Sequence, residues 1–338
     1  MDPFLPVPPL HYGGIERVVY DLASRYVKEG HEVTLVAGPN SRSPGRLITY
    51  GENGPGSVRI DPGLMLQVHR ILASEAPRHD VLHNFGRLAF LFPVAWRRIR
   101  KVQTYMRFIT ARNIAALNAI GPRNLTYTAV SNAIVDTGRP GGGDWRTVYN
   151  CAPVEDFDFV ESVPADAPLV FLGRLERCKG AHSAITVAEM SGRQLIIAGN
   201  VSALPHEKRY FEQEVEPRIN GRNIRYVGVV NNEEKNRLLG SAAALLLPIE
   251  WLEPFPVVLP EAFACGTPVL AFAQGGVPEG VIHGVTGFLS DTPAEMASHV
   301  GALPSLSRQA CRAEALDKYS DRVIAEHYMA IYSDSART

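Results

Sequence analysis

Two acidic and two basic side chains form a set that could do chemistry together. Glu253 and Glu261, with seven residues between them, lie in WLEPFPVVLPEAFACGTPVLAFA, from Trp251 to Ala273. Arg174 and Lys179 lie upstream in VFLGRLERCKGAHSAI. A guanidinium grips a diphosphate as a planar fork, and an ammonium acts on it as a point charge. Two carboxylates, one on a loop and one inside the helix that the loop feeds, can reach different parts of one ligand. The first turn of that helix also offers amide hydrogens and a positive dipole end for phosphate. This combination describes a sugar-nucleotide site; the plainer alternative is a solvated loop glutamate followed by a surface helix glutamate.

The elements that must position these residues follow from local pattern. Pro254 and Pro256 make the stretch after Trp251 a loop, because proline removes amide donors and resists a helix interior. Val257 to Cys265 reads as a short helix, Gly266 as its left-handed cap and Pro268 to Phe272 as a buried strand. Upstream, strands are predicted at Leu169 to Gly173, Gln194 to Gly199, Ile224 to Gly228 and Ala244 to Pro248. Helices are predicted at Ala181 to Met190, Glu207 to Ile219 and Glu233 to Leu239, with a helical tail from Pro293 to Tyr332. Arg174 thus follows a strand and Lys179 precedes a helix, at the end of the sheet where doubly wound folds place ligands. In QGGVPEGVIHGVTGFL the pair Gly275 and Gly276 is either a close approach to a sugar or a plain turn, with Glu279 at a helix start.

The first half repeats the alternation. Ile15, Val18, Val19, Leu22, Ala23, Tyr26 and Val27 recur at helical spacing, so Gly14 to Glu29 is an amphipathic helix stopped by Gly30. Gly13 and Gly14 sit at its start, where absent side chains let a phosphate or sugar approach the backbone, although a tight turn explains them equally. Strands are predicted at Glu32 to Ala37, Val81 to Asn84, Lys101 to Tyr105, Thr126 to Ser131 and Arg146 to Asn150. His83 and Arg107 lie at strand ends and are candidates to touch an acceptor, while a strand-end histidine is also commonly an ordinary packed residue. One expected strand is missing: MDPFLPVPPLHY, before the glycine pair, is too short and too rich in proline to be the buried first strand of a doubly wound sheet. Either the sheet lacks that strand or the recorded start is incomplete.

Composition sets the frame. A chain of 338 residues suggests about two domains, divided near Cys151 to Asp166 where the sequence turns acidic and proline-containing. With 34 basic and 35 acidic residues, nothing argues for nucleic acid or for electrostatic attraction to a membrane. Cys151, Cys178, Cys265 and Cys311 are far apart and fit no close-spaced metal pattern, so a reduced, cytoplasmic setting is expected. The apolar run Leu88 to Trp96 is too short to span a bilayer, and no signal peptide is apparent at the N-terminus.

Taken in order, PPLHYGGIERVV, HDVLHN, AVSNAIVD, VYNCAPVEDF, FLGRLERCKG, LIIAGN, WLEPFPVVLPEAFACGTPVLAF and GGVPEGVIHGVTGFL give the chain a resemblance that covers nearly its whole length. It resembles the retaining GT-B glycosyltransferases of family 4, and most closely the small avilamycin-type branch. The resemblance implies an α/β fold of two Rossmann-like doubly wound domains facing a cleft. An acceptor domain would span 1–152 and a nucleotide-sugar domain 153–338, with the last helix either inside the second domain or packing back on the first. On the matching positions, Arg174 and Lys179 would hold the donor diphosphate, Glu261 the ribose hydroxyls and Glu253 the donor sugar as the catalytic carboxylate. The amides of Val257 and Val258 would bind phosphate, and Gly13 and Gly14 would complete the donor set from the first domain. The implied reaction is transfer from a nucleotide-diphosphate sugar to an unspecified acceptor with retention, without metal or other cofactor.

Three departures from the family pattern bear on activity. Met106 stands where the family usually carries a histidine, and a thioether cannot make that histidine's hydrogen bonds. Pro256 replaces a glycine and cannot donate an amide. Pro260 precedes Glu261 and is expected to push the helix start later. These departures, with the weak first strand, keep open a non-catalytic homologue that binds a nucleotide sugar or a partner. A nicotinamide dehydrogenase is disfavoured, because its glycine fingerprint with an acidic residue about 20 positions on is absent.

Overall fold

The computed structural model describes residues 1–10, 13–51 and 62–334. They divide into two compact units, one of Met1–Cys151 with Asp321–Thr338 and one of Ala152–Ser320. Each is built on parallel strands, as a doubly wound fold requires.

In the first unit, α1 (Gly14–Lys28) buries Val18, Val19, Leu22 and Ala23, the stripe that its spacing predicts. The chain continues through β1 (Thr34–Ala37), β2 (Arg46–Thr49), α2 (Pro62–Glu75), β3 (Val81–Asn84) and β4 (Arg100–Tyr105). After these come α3 (Ala111–Ala119), β5 (Leu125–Ala129), α4 (Asn132–Gly138) and β6 (Asp144–Thr147). The strands form two separate parallel sheets, β1-β2 and β3-β4-β5-β6. No strand occurs in residues 1–10. The strand β2 lies in the segment Ser41 to Pro55, whose glycine and proline content predicts an irregular loop. Its two apolar residues, Leu47 and Ile48, are adjacent and none of the four is fully buried, so no period-two pattern shows. The remainder of that expected loop, 52–55, lies outside the described residues.

The second unit runs β7 (Leu169–Leu172), α5 (Ala181–Ser191), β8 (Leu195–Ala198), α6 (Pro205–Tyr210), β9 (Ile224–Tyr226), α7 (Asn232–Gly240) and β10 (Ala244–Leu247). It continues with α8 (Val258–Ala264), β11 (Val269–Phe272), α9 (Val277–Gly280), β12 (Gly287–Ser290), α10 (Pro293–Val300) and α11 (Arg308–Glu314). The sheet order is β12-β11-β10-β7-β8-β9, all parallel. This is the doubly wound order, and it reverses between β7 and β10. The central strands β8, β10 and β11 are buried throughout, as apolar runs covered on both faces must be. The segment expected to be a linker is instead part of this unit: Val154 and Phe157 are buried, and the Val160 amide donates to Cys265 O at 3.2 Å. Its alternating apolar residues give it surface to bury that a free linker lacks.

The last helix, α12 (Asp321–Ser333), belongs to the first unit, where it packs on α1. The buried Arg25 Nε donates to Asp321 Oδ2 at 2.8 Å across that contact. Among the described residues, no helix is long and apolar enough to cross a membrane.

Candidate functional site

In open parallel sheets the ligand crevice lies outside the carboxyl ends of the two strands where the order reverses, here β7 and β10. Arg174 follows β7 by two residues, and Trp251 to Glu253 lie in the loop after β10. The two loops are tied together by backbone, since the Glu250 amide donates to Cys178 O at 2.9 Å. Gly180 takes the left-handed conformation at φ 77° to start α5, and a Cβ there would stand 1.9 Å from Pro248 O. Any side chain at this position would force the loops apart.

On this framework Lys179 Nζ donates to Glu253 Oε2 at 2.6 Å, with both side chains largely buried. Trp251 Nε1 donates to the same oxygen at 2.5 Å. The Lys179 ammonium stands 5.2 Å from the centroid of the Trp251 ring, so cation, indole and carboxylate form one cluster. Gly276 N donates to Glu253 O at 2.8 Å, and a Cβ on Gly275, at φ 60°, would stand 2.2 Å from that carbonyl oxygen. The glycine pair therefore forms a turn, as one of its two expected readings has it, and that turn packs against the backbone of Glu253. Arg174 Nη1 donates to the buried Glu176 at 2.6 Å.

Glu261 is buried on α8 and accepts from Lys235 Nζ, which α7 brings in. Lys235 is itself buried, with its ammonium 5.3 Å from the centroid of Phe157. Each carboxylate of the pair thus holds its own lysine. Val257 caps α8 and Val258 is its first helical residue. Amides in a first helical turn have no acceptor within the helix. Pro260 does not delay the helix as expected. It occupies the third helical position, where its missing N–H would have had no intrahelical partner.

In the first unit, Arg107 follows β4, and its Nη2 donates to Asp2 Oδ2 at 2.9 Å. The buried Asp2 also accepts from the Arg87 amide at 3.2 Å. Gly13 lies beside Glu16, whose Oε2 would stand 2.9 Å from a Cβ at that glycine; Gly14 opens α1. Burial raises the carboxyl pKa of Glu16, opposed by its own backbone hydrogen bond and by Arg107. His83, the other acceptor-side candidate, is held inside the unit. Its Nδ1 is 2.6 Å from Tyr332 Oη and its Nε2 is 2.6 Å from Thr104 Oγ1. Its ring packs at centroid distances of 4.0 Å from Phe85 and 4.7 Å from Tyr328. Burial pushes its pKa down to about 3 and keeps the imidazole neutral at ordinary pH. Both ring nitrogens are engaged, so the geometry of His83 is that of a packed histidine.

Sequence reading misses Lys235, Trp251, Glu176, Asp2 and Glu16. Only Lys235 carries a usable signal: it lies four residues before Leu239 on a capped helix, so the two share a face, and both are buried.

The Glycosyltransferase Family 4 family matches residues 12–153, and the Glycosyl transferases group 1 family matches residues 155–322. The chain is 31% identical over 353 aligned positions to a glycogen synthase of Mycobacterium tuberculosis, covering 88% of this chain and 83% of the relative. It is 27% identical to a D-inositol 3-phosphate glycosyltransferase of Xylanimonas cellulosilytica, covering 86% and 83%. Among solved structures it resembles AviGT4, a glycosyltransferase involved in avilamycin A biosynthesis, with a TM-score of 0.70, 24% identity, and 97% and 91% coverage. It also resembles Anabaena HepE in complex with UDP and glucose, with a TM-score of 0.74, 18% identity, and 95% and 96% coverage. Both halves match in chain order, one relative exceeds 30% identity over most of its length, and the chain belongs to the GT-B glycosyltransferases of the group 1 and family 4 superfamily.

Proposed function

We propose that this chain is a retaining, metal-independent glycosyltransferase that takes its sugar from a nucleotide-diphosphate sugar and works in the cytoplasm. The observation that carries the reading is the cluster of Lys179, Glu253 and Trp251, with Arg174 nearby, at the order reversal of the six-stranded sheet. Lys179 and Arg174 hold the diphosphate and stabilise the charge that develops on it as the glycosidic bond breaks. The amides of Val257 and Val258 add to that stabilisation. Glu253 orients the donor sugar, and Glu261, fixed by Lys235, accepts from the ribose hydroxyls. Retention follows if the acceptor attacks on the face of the leaving group, whose phosphate oxygen then takes the acceptor proton. Solved relatives that hold UDP and UDP-glucose support a uridine nucleotide as the first donor to try. The buried thiols of Cys265 and Cys311, each pushed up to about 12 by burial, suit a packing role in a reducing compartment.

Lys179 already has an anionic partner, so donor binding exchanges the Glu253 carboxylate for a phosphate. The proposed reaction is tested by incubating the protein with UDP-glucose and candidate acceptors and reading the anomeric configuration of any product by NMR. An inverted product removes the retaining mechanism, and activity that is lost on chelation and restored by a divalent ion removes metal independence. The second reading, a homologue that binds a donor without transferring it, is favoured by Met106 and Pro256. Tight donor binding with no transfer and no hydrolysis would select it.

A further inference from the structure

Glu250 follows β10 and directly precedes Trp251, but its contacts lead to the other side of the cluster. Its amide donates to the carbonyl of Cys178, the residue just before Lys179, at 2.9 Å. Its carboxylate reaches the first turn of α5. There Oε1 accepts from the Oγ of the buried Ser183 at 2.9 Å and stands 3.1 Å from His182 Nε2. The residue thus joins the turn that carries Lys179 to the loop that carries Glu253.

The far side of His182 is fixed as well. The Oη of the buried Tyr210 accepts from the His182 amide at 3.2 Å and stands 2.9 Å from His182 Nδ1. Burial pushes the Tyr210 pKa up to about 12, so the hydroxyl keeps its one hydrogen and directs it at Nδ1. Nε2 then carries the ring hydrogen and presents it to Glu250, where a bare nitrogen lone pair would repel the carboxylate. The Tyr210 ring also meets the imidazole edge-on at 5.5 Å, which holds the imidazole in place beneath Glu250.

Donor binding makes a particular demand on this joint. On the function proposed above, on which this inference rests, Lys179 gives up the Glu253 carboxylate and takes a phosphate. The direct hydrogen bond between turn and loop is then lost. The contacts of Glu250 use no atom of Lys179, Trp251 or Glu253, so they can persist through that change. We infer that Glu250 is a positioning residue, which holds the Lys179 turn and the Glu253 loop in register while the Lys179–Glu253 hydrogen bond opens for the donor. Both side-chain contacts are made to one oxygen, Oε1, so any side chain that presents a carbonyl oxygen there can make them.

The test uses the full chain and its Glu250→Ala, Glu250→Gln and Ser183→Ala variants. UDP-glucose, then GDP-, ADP- and dTDP-sugars, are titrated calorimetrically, and amide hydrogen exchange over Glu250 to Glu253 is read without donor. Glu250→Ala should weaken the donor about tenfold and speed that exchange about tenfold. Ser183→Ala should weaken the donor about threefold, and Glu250→Gln should stay within about twofold of the parent in both readouts. Parent affinity in Glu250→Ala would overturn the inference even if its Tm falls, because the residue would then serve stability alone. A Gln variant as weak as the Ala variant would also overturn it, since the charge and not the acceptor oxygen would be what counts. If Glu250→Ala does not fold, Ser183→Ala decides: weaker binding supports the inference and unchanged binding contradicts it. A parent that binds no donor contradicts the proposed activity instead. The exchange data then decide on Glu250 by themselves, with faster exchange in the Ala but not the Gln variant supporting the joint and equal exchange contradicting it.

Discussion

The two units solve the same problem, a parallel sheet with helices, in different ways. In the second, an apolar strand, β7, occupies the middle of a continuous six-stranded sheet, and backbone contacts at Gly180 and Gly275 hold the loops beyond it. In the first, the sheet is in two pieces, and side-chain hydrogen bonds do much of the organising near their ends. Asp2 ties Arg107 to the Arg87 amide, and Asn84 Nδ2 donates to Gln103 Oε1 at 2.5 Å and to Arg87 O at 3.0 Å. Backbone packing fixes a crevice to within the tolerance of a glycine, whereas a polar network holds only as well as its charges stay matched. The first unit, which holds the buried neutral imidazole of His83, should respond more to pH below the ordinary histidine range.

The largest expected effect lies in the second unit. Lys235→Ala leaves the buried Glu261 without its ammonium and should cost about 3–5 kcal/mol in urea unfolding. Lys235→Met with Glu261→Leu should recover most of that loss. A cost below about 1 kcal/mol for Lys235→Ala would show that the pair is solvated. The next effect belongs to the first unit and to His83. Its folded pKa, about 3, lies below the ordinary 6.5, so the unfolded chain binds more protons between these values. The contribution of neutral His83 is fully present above pH 6.5 and is lost as pH falls toward 3, by about 1.4 kcal/mol per pH unit within that window. His83→Gln should flatten this dependence in unfolding curves run from pH 7 to pH 4, and an unchanged slope would assign it elsewhere. The smallest effect is at Arg107, whose half-exposed pairing with Asp2 should be worth under about 1 kcal/mol. Arg107→Ala should shift the urea midpoint only slightly, and a larger loss would make the polar network stiffer than this comparison allows.

Much of this architecture is legible in the sequence where apolar pattern and element coincide. Val81–Asn84 is a strand as expected, and Thr34–Ala37 and Ala244–Leu247 fall within their predicted runs. The strands that escape detection have weak patterns: Arg46–Thr49 is largely accessible, and Gly287–Ser290 opens on a glycine packed against Val269. The helix expected from Glu207 to Ile219 breaks after Tyr210 into a wider turn over Phe211–Val215 and a tighter one over Glu216–Arg218, where Pro217 removes a donor. At the candidate site, residue types and spacing single out Arg174, Lys179, Glu253 and Glu261, but their partners are harder to see. Lys179 meets Glu253 across 74 positions and Lys235 meets Glu261 across 26, distances over which only the fold decides pairing. His83 shows the converse, since its strand-end position is readable but the tyrosine that engages it lies 249 residues away.

The central claim is that the second unit holds a nucleotide-diphosphate sugar through Lys179 and its neighbours. Isothermal titration of the purified chain with UDP-glucose, and then with GDP-, ADP- and dTDP-sugars, tests it most directly. At least one donor should bind, and Lys179→Ala should weaken that donor by roughly 10- to 150-fold, the loss of one charge-assisted contact. Failure of every donor to bind, or a Lys179→Ala protein that binds as tightly as the parent, would contradict the account.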